Sequence, residues 1–258
     1  VSLTIEITRR CNMCCVHCLR GDAENKTIPR KIIAQCSQVF SDIDILTITG
    51  GEPSLSPTKI RECADFLDYN SWYVVSNGKF RFPDEYVDYI YTVDYVKKRY
   101  GNFLHSIWKL NNNAKDNDTS CLAFSGDKFH NEEGKNGRNM VSRLEDFSSE
   151  FDINITDHSK HYTYDSILGE GRGIDYSSEI DKNELIMKLN SDAEYDQEND
   201  YFNSMNVYVN VYGKCFLACD FSYETQRKKE WCIGNIFEPE KLKENLINFC
   251  KELKNETK

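Results

Sequence analysis

Hydrophobic and polar positions follow two alternating periods along the chain. Ser2–Thr8 (SLTIEIT) alternates with period two and is rich in β-branched residues, which predicts a strand. Over 29–40, Ile32, Ile33, Cys36, Val39 and Phe40 fall on one helical face, with Pro29 near the first turn. Residues 43–49 (IDILTIT) predict a second strand. Residues 56–69 predict a helix, with Ser56 as cap, Pro57 at its first position and Ile60, Cys63, Ala64 and Leu67 as its buried stripe. Residues 72–75 predict a third strand, 84–110 a largely helical, tyrosine-rich stretch, and 111–118 (NNNAKDND) a polar loop. Cys121–Phe124 predicts a fourth strand, 140–151 a helix and 153–156 a fifth strand. This order is that of an α/β protein.

Beyond residue 190 the pattern changes. Residues 190–203 (NSDAEYDQENDYFN) are acidic and Asn-rich and read as a linker or mobile loop. Residues 205–220 predict a β-hairpin with Tyr212-Gly213 near its turn. In the last helix Leu242, Leu246, Phe249, Cys250 and Leu253 share a face. Cys36, Cys63 and Cys250 thus read as core residues. The division expected is a core over 1–189 and a small extension over 190–258.

A length of 258 residues suits one large domain, alone or with an appendage. The net charge of −10 argues against nonspecific binding to nucleic acid or to an anionic membrane. No apolar run approaches the roughly 20 residues of a membrane span, and no signal peptide is visible. The chain opens directly on a strand, so a trimmed initiator or short leader is expected. Eleven cysteines without a signal sequence imply a reducing, cytoplasmic setting and metal rather than disulfides.

Four of those cysteines stand in Arg10 to Arg20, RCNMCCVHCLR, directly after the first predicted strand. Cys11, Cys15 and Cys18 are spaced C-x-x-x-C-x-x-C; Cys14 falls outside the spacing and reads as a spare thiol. Three thiolates on a short loop suit three corners of a cubane iron–sulfur cluster. Such clusters normally have four cysteines, so one iron would stay open to a ligand, as the open position does at catalytic zinc. Structural zinc is the plain alternative; the absence of paired C-x-x-C knuckles with His partners argues against it.

This loop, with Gly50-Gly51-Glu52-Pro53 after the second strand, resembles the radical S-adenosylmethionine (radical SAM) enzymes. The resemblance implies a partial (β/α)6-type barrel over roughly 2–175. It implies a [4Fe–4S] cluster on Cys11, Cys15 and Cys18, with S-adenosylmethionine chelated at the open iron and cleaved reductively to a 5′-deoxyadenosyl radical that abstracts hydrogen from the substrate. Gly50, Gly51, Glu52 and Pro53 would bind the methionine amino group through backbone oxygens and Glu52. His17 stands where the family has an aromatic residue near the adenine, and reads equally as a planar filler. Asn77, in Ser76-Asn77-Gly78, would face the site, or belong to a plain turn. Ser125 and Asp127 would lie near the ribose or carboxylate, for which hydroxyl and carboxylate groups are suited; His130, shortly after, reads better as a brace than as an acid or base. Arg172, in Gly169-Glu170-Gly171-Arg172-Gly173, is a candidate for the cofactor carboxylate, or part of an exposed Gly-rich turn.

Over 205–238, a hairpin, clustered cysteines and Gly234-Asn235-Ile236 resemble the SPASM/twitch-like extension of many radical enzymes. That implies an auxiliary iron–sulfur cluster on Cys215, Cys219 and Cys232; a metal-free hairpin and a zinc site are the alternatives. The extension favours a peptide or protein substrate. A nucleotide or small metabolite is the enzymatic alternative, and a non-catalytic iron–sulfur or zinc protein the other. The family resemblance also implies a reduced flavodoxin- or ferredoxin-type electron donor. Nucleic-acid and membrane partners are not expected, and the sequence does not name a catalytic residue.

Overall fold

The computed structural model describes residues 1–80, 93–125, 140–157, 172 and 181–256. Within them an eight-stranded sheet forms the centre. Strand β1 (Ser2–Thr8) pairs in parallel with β2 (Ile43–Gly50) on one side. From β2 the sheet continues in parallel through β3 (Tyr69–Ser76), β4 (Cys121–Phe124) and β5 (Ile155–Asp157). Parallel strands need crossovers. Helix α1 (Arg30–Val39) links β1 to β2, and α2 (Pro57–Phe66) links β2 to β3. A helical segment, α3 (Val93–Asn113), is broken at Gly101, whose φ of 83° departs from helical geometry. Helix α4 (Glu145–Phe151) precedes β5.

The core lies between this sheet and the helices. Leu3, Ile5 and Ile7 of β1 are fully buried, as are Ile33 and Cys36 of α1 and Ile60 and Cys63 of α2. Cys36, Cys63 and Cys250 are therefore core residues, as their positions on apolar faces predict. Each fully buried aliphatic side chain contributes about 1.5–3 kcal/mol relative to exposure.

Several boundaries differ from the sequence reading. Helix α2 ends at Phe66 and β3 starts at Tyr69, because Tyr69 and Ser71 are buried against neighbouring elements. Ser56 precedes α2 but makes no side-chain capping bond. Asn111–Asn113 closes α3 rather than opening a polar loop. Asn111 is buried, and its Oδ1 accepts the indole N–H of Trp72 at 3.2 Å.

The acidic stretch after residue 190 is a hairpin, not a linker. Helix α5 (Lys182–Leu189) leads into β6 (Glu194–Asp196), which pairs antiparallel with β7 (Tyr201–Asn203). Asp196 accepts the backbone N–H groups of Glu198 and Asn199 in the turn. Lys243 and Lys254 of the last helix, α6 (Pro239–Glu256), bond Asp200 and Glu194.

The next strand, β8 (Asn206–Val209), pairs in parallel with β1 and antiparallel with β9 (Lys214–Phe216). A short strand, β10 (Gly234–Asn235), completes the edge. The residues after 190 thus extend the same sheet as the core. Gly213, at φ 79°, makes the β8–β9 turn, where a side chain would be strained. Among the described residues, no helix is long and apolar enough to cross a membrane.

Candidate active site at the carboxyl edge of the sheet

The cysteine loop leaves the carboxyl end of β1, the end at which parallel α/β sheets build their sites. Its base is fixed by backbone bonds. Arg9 exchanges bonds with its own return strand, donating to Lys26 and accepting from Glu24. At its exit Cys18 N–H donates to the Cys15 carbonyl at 3.2 Å, and Gly21 N–H to the Cys18 carbonyl at 3.1 Å. Cys11, Cys15 and Cys18 are half-buried, whereas Cys14 is exposed. Burial pushes the Cys11 thiol up to about 11, and the charges of Glu52, Cys15 and Cys18 add to the effect. These groups are therefore neighbours.

Gly50 and Gly51 lie directly against the start of this loop. A Cβ on Gly50 would stand 2.2 Å from the Thr8 carbonyl oxygen, and one on Gly51 2.3 Å from that of Arg10. The amides of Gly51 and Glu52 donate to these same two carbonyls, each at 2.8 Å. The glycine pair is thus required by loop-to-loop packing.

Glu52 is buried, with its carboxylate turned toward β3. One oxygen accepts from Ser54 N–H at 2.9 Å and from the Ser76 hydroxyl at 2.8 Å; the other accepts from Asn77 N–H at 2.8 Å. Burial raises the Glu52 carboxyl above the ordinary carboxylate range, and these hydrogen bonds oppose the rise. Pro53 opens the short 3-10 turn Pro53–Leu55 that Glu52 caps. Asn77 Nδ2 donates to Asn12 Oδ1 at 2.8 Å, and Ser125 N–H to the Ser76 carbonyl at 3.0 Å. The ends of β1, β2, β3 and β4 are in this way tied into one edge, which brings together Cys11, Glu52, Asn77 and Ser125. His17 is half-buried within the cysteine loop. Asp127, His130 and the glycines flanking Arg172 lie outside the described residues. Arg172 itself reaches the loop: its amide donates to the Cys18 carbonyl at 3.0 Å, and its guanidinium to Cys14 Sγ at 2.7 Å.

A support that the sequence does not announce lies beneath the loop. Arg9 is almost wholly buried. It donates to Glu6 at 3.1 Å, to both oxygens of Glu24 and, at 2.6 Å, to Gln226 Oε1, and its guanidinium lies over the rings of Tyr212 and Tyr223. Glu6 also accepts from Val211 N–H. Arg20 donates to the Phe221 carbonyl at 2.7 Å and lies over the Tyr208 ring. The cysteine loop is thus held by the extension. A charged residue inside the apolar alternation of β1 was the one visible signal. A cleft of about 500 Å³ opens between the loop exit, at Arg20, Asp22 and Glu24, and Tyr223, Glu224 and Arg227 of the extension.

Three soft, half-buried sulfur donors fit a thiophilic metal group. Among the described residues no three His, Cys, Asp or Glu side chains meet at a single-ion site. A cubane cluster spreads its ligands over separate irons, so the loop fits it better than one zinc ion. The second cysteine group is different. Cys215 is fully buried in the main core, where Cys36 and Cys232 are its neighbours. Cys219 and Cys232 both pack on a second apolar cluster with Tyr208, Phe216 and Phe221, and the charged neighbours of Cys219 are Asp220 and Arg20. Cys232 thus lies beside Cys215 and on the same apolar cluster as Cys219.

No protein-family model and no curated protein sequence matches the chain. Among solved structures, native anSMEcpe with bound AdoMet and Cp18Cys peptide matches with a TM-score of 0.51 at 11% identity, covering 96% of this chain and 81% of that one. Streptococcus suis SuiB bound to precursor peptide SuiA matches with a TM-score of 0.34 at 11% identity, covering 85% of this chain and 59% of that one. SuiB bound to S-adenosylmethionine gives 0.36 at 12%, covering 84% and 60%. The match to anSMEcpe, a radical SAM enzyme, runs over nearly all of this chain. The chain has the fold of the radical S-adenosylmethionine enzymes.

Proposed function

We propose that this chain is a radical S-adenosylmethionine enzyme acting on a peptide or protein. The observation that carries the reading is the position of Cys11, Cys15 and Cys18, half-buried on a loop at the carboxyl end of β1 whose first residues, Arg9 and Arg10, pack against Gly51. These three residues would hold a [4Fe–4S] cluster and leave one iron for the cofactor's amino and carboxylate groups. When bound and reduced, such a cluster supplies the electron that splits the cofactor's sulfonium.

The remaining roles belong to the protein, which orients the cofactor and shields the reaction. Backbone oxygens of the Gly50-Gly51 segment would take the methionine amino group. Glu52 serves that segment from behind, since its bonds go to Ser54, Ser76 and Asn77. The edge at Asn77 and Ser125 would meet the ribose or carboxylate, and His17 the adenine. Cys215, Cys219 and Cys232 of the SPASM/twitch-like extension would hold an auxiliary iron–sulfur cluster or, without metal, pack the hairpin, and the extension itself supports the loop through Gln226 and Tyr223. A flavodoxin- or ferredoxin-type protein would supply the electron.

The peptide assignment draws on anSMEcpe, whose structure holds both AdoMet and a peptide. The test is 5′-deoxyadenosine formation by anaerobically reconstituted, dithionite-reduced protein. Wild type should form it from S-adenosylmethionine, and Cys11→Ala should not. Stimulation by peptides and not by nucleotides supports the substrate class, and the reverse contradicts it. No 5′-deoxyadenosine from wild type would contradict the enzyme reading.

A further inference from the structure

The cysteine loop holds one thiol too many. Cys14 stands next to Cys15, inside the span from Cys11 to Cys18 that supplies the three ligand positions. Iron–sulfur clusters normally take four cysteines. A fourth thiolate within one residue of Cys15 can therefore close the iron that cofactor binding needs open.

The structure keeps the two adjacent thiols apart. Cys15 is half-buried with Cys11 and Cys18, and Cys14 faces outward. There Cys14 Sγ meets the guanidinium of Arg172 at 2.7 Å, and the same nitrogen lies 3.4 Å from Asp22 Oδ1. Arg172 is itself fixed to the loop, since its amide donates to the Cys18 carbonyl, which also accepts from Gly21. Its guanidinium also reaches the Cys18 thiol. The arginine thus spans the loop from Cys18 to Cys14 along the outside. A guanidinium stays charged and only donates, so it offers the Cys14 sulfur a lasting partner on the outer side of the loop.

We propose that Arg172 is a positioning residue that holds the Cys14 thiol out of the ligand set, so that the loop presents three sulfurs and not four. The inference rests on Cys11, Cys15 and Cys18 being the cluster ligands.

Electron paramagnetic resonance of the reduced, reconstituted protein, with and without S-adenosylmethionine, tests it. Wild type and Cys14→Ala should both change spectrum when the cofactor is added. Arg172→Met should carry a full complement of iron yet lose that change. Arg172→Lys, which keeps a donor, should retain it. The double variant Arg172→Met with Cys14→Ala should recover the wild-type response. An Arg172→Met protein that responds like wild type would overturn the proposal. So would a double variant that stays unresponsive or loads no cluster, since Arg172 would then act on the cofactor or the loop directly. A wild-type protein with no cofactor-responsive cluster would instead overturn the functional reading, and this inference with it.

Discussion

The carboxylate of Glu52 accepts the hydroxyl of Ser76 at 2.8 Å, and this bond joins the loop after the second strand to the end of the third. Both residues are buried. The second cofactor-binding segment is therefore set by the third strand as much as by its own glycines.

Removing that bond should loosen the edge. A hydrogen bond to a charged group contributes about 1.5–3 kcal/mol. Ser76→Ala should accordingly lower the urea stability of the metal-free protein by about 2 kcal/mol and weaken S-adenosylmethionine binding to the loaded protein. Ser76→Thr should restore most of both. Unchanged stability and affinity in Ser76→Ala would show that Glu52 does not depend on Ser76.

Gly51 faces a harder steric limit. An added Cβ would sit 2.3 Å from the Arg10 carbonyl oxygen, one residue before Cys11. Gly51→Ala should therefore displace the cysteine loop and reduce the iron bound on reconstitution, with the far-ultraviolet circular dichroism preserved. Full iron content in that variant would contradict the packing described.

Arg9 and Arg227 both bond Glu24, but only Arg9 is buried. Removing one partner of a buried pair leaves an uncompensated charge and costs about 3–5 kcal/mol. Arg9→Met leaves Glu6 in that position, whereas Glu24 keeps Arg227. Arg227→Ala, at an exposed pair, should cost less than about 1 kcal/mol. Urea unfolding midpoints compare the two, and similar losses would refute the buried network as the loop's support.

Lys243 and Tyr195 bond Asp200 and hold its carboxyl below the ordinary value of 3.8. A carboxylate with a depressed value adds stability above its unfolded-state value and loses it as the pH falls through the folded one. Carboxyl titration by nuclear magnetic resonance should therefore place the Asp200 midpoint below 3.8 in wild type. In Lys243→Met the midpoint should rise. A midpoint unaffected by that substitution would show that the hairpin is not docked on the last helix through this pair.

The parallel strands were legible because their cores are short β-branched runs, as in residues 43–49, separated by helices with apolar faces. The strand that opens at Tyr69 begins on polar residues, Asn70 and Ser71, which carry no apolar signal, and only the structure shows the Ser71 hydroxyl bonded to the Asp44 carbonyl in the sheet. The hairpin at residues 194–203 was hidden by its acidity, since two exposed strands need little apolar pattern. The loop motifs were legible from spacing alone. What they rest on was not: Gln226 stands 217 residues from Arg9. Nor does spacing separate a buried cysteine such as Cys215 from a ligand.

Iron and sulfide content after anaerobic reconstitution tests the central claim most directly, measured on wild type and on a variant with Cys11, Cys15 and Cys18 all changed to Ala. The account predicts that the variant binds about four fewer irons per chain than wild type, the content of a single cubane. Zinc in place of iron, or an iron content unchanged in the triple variant, would contradict it.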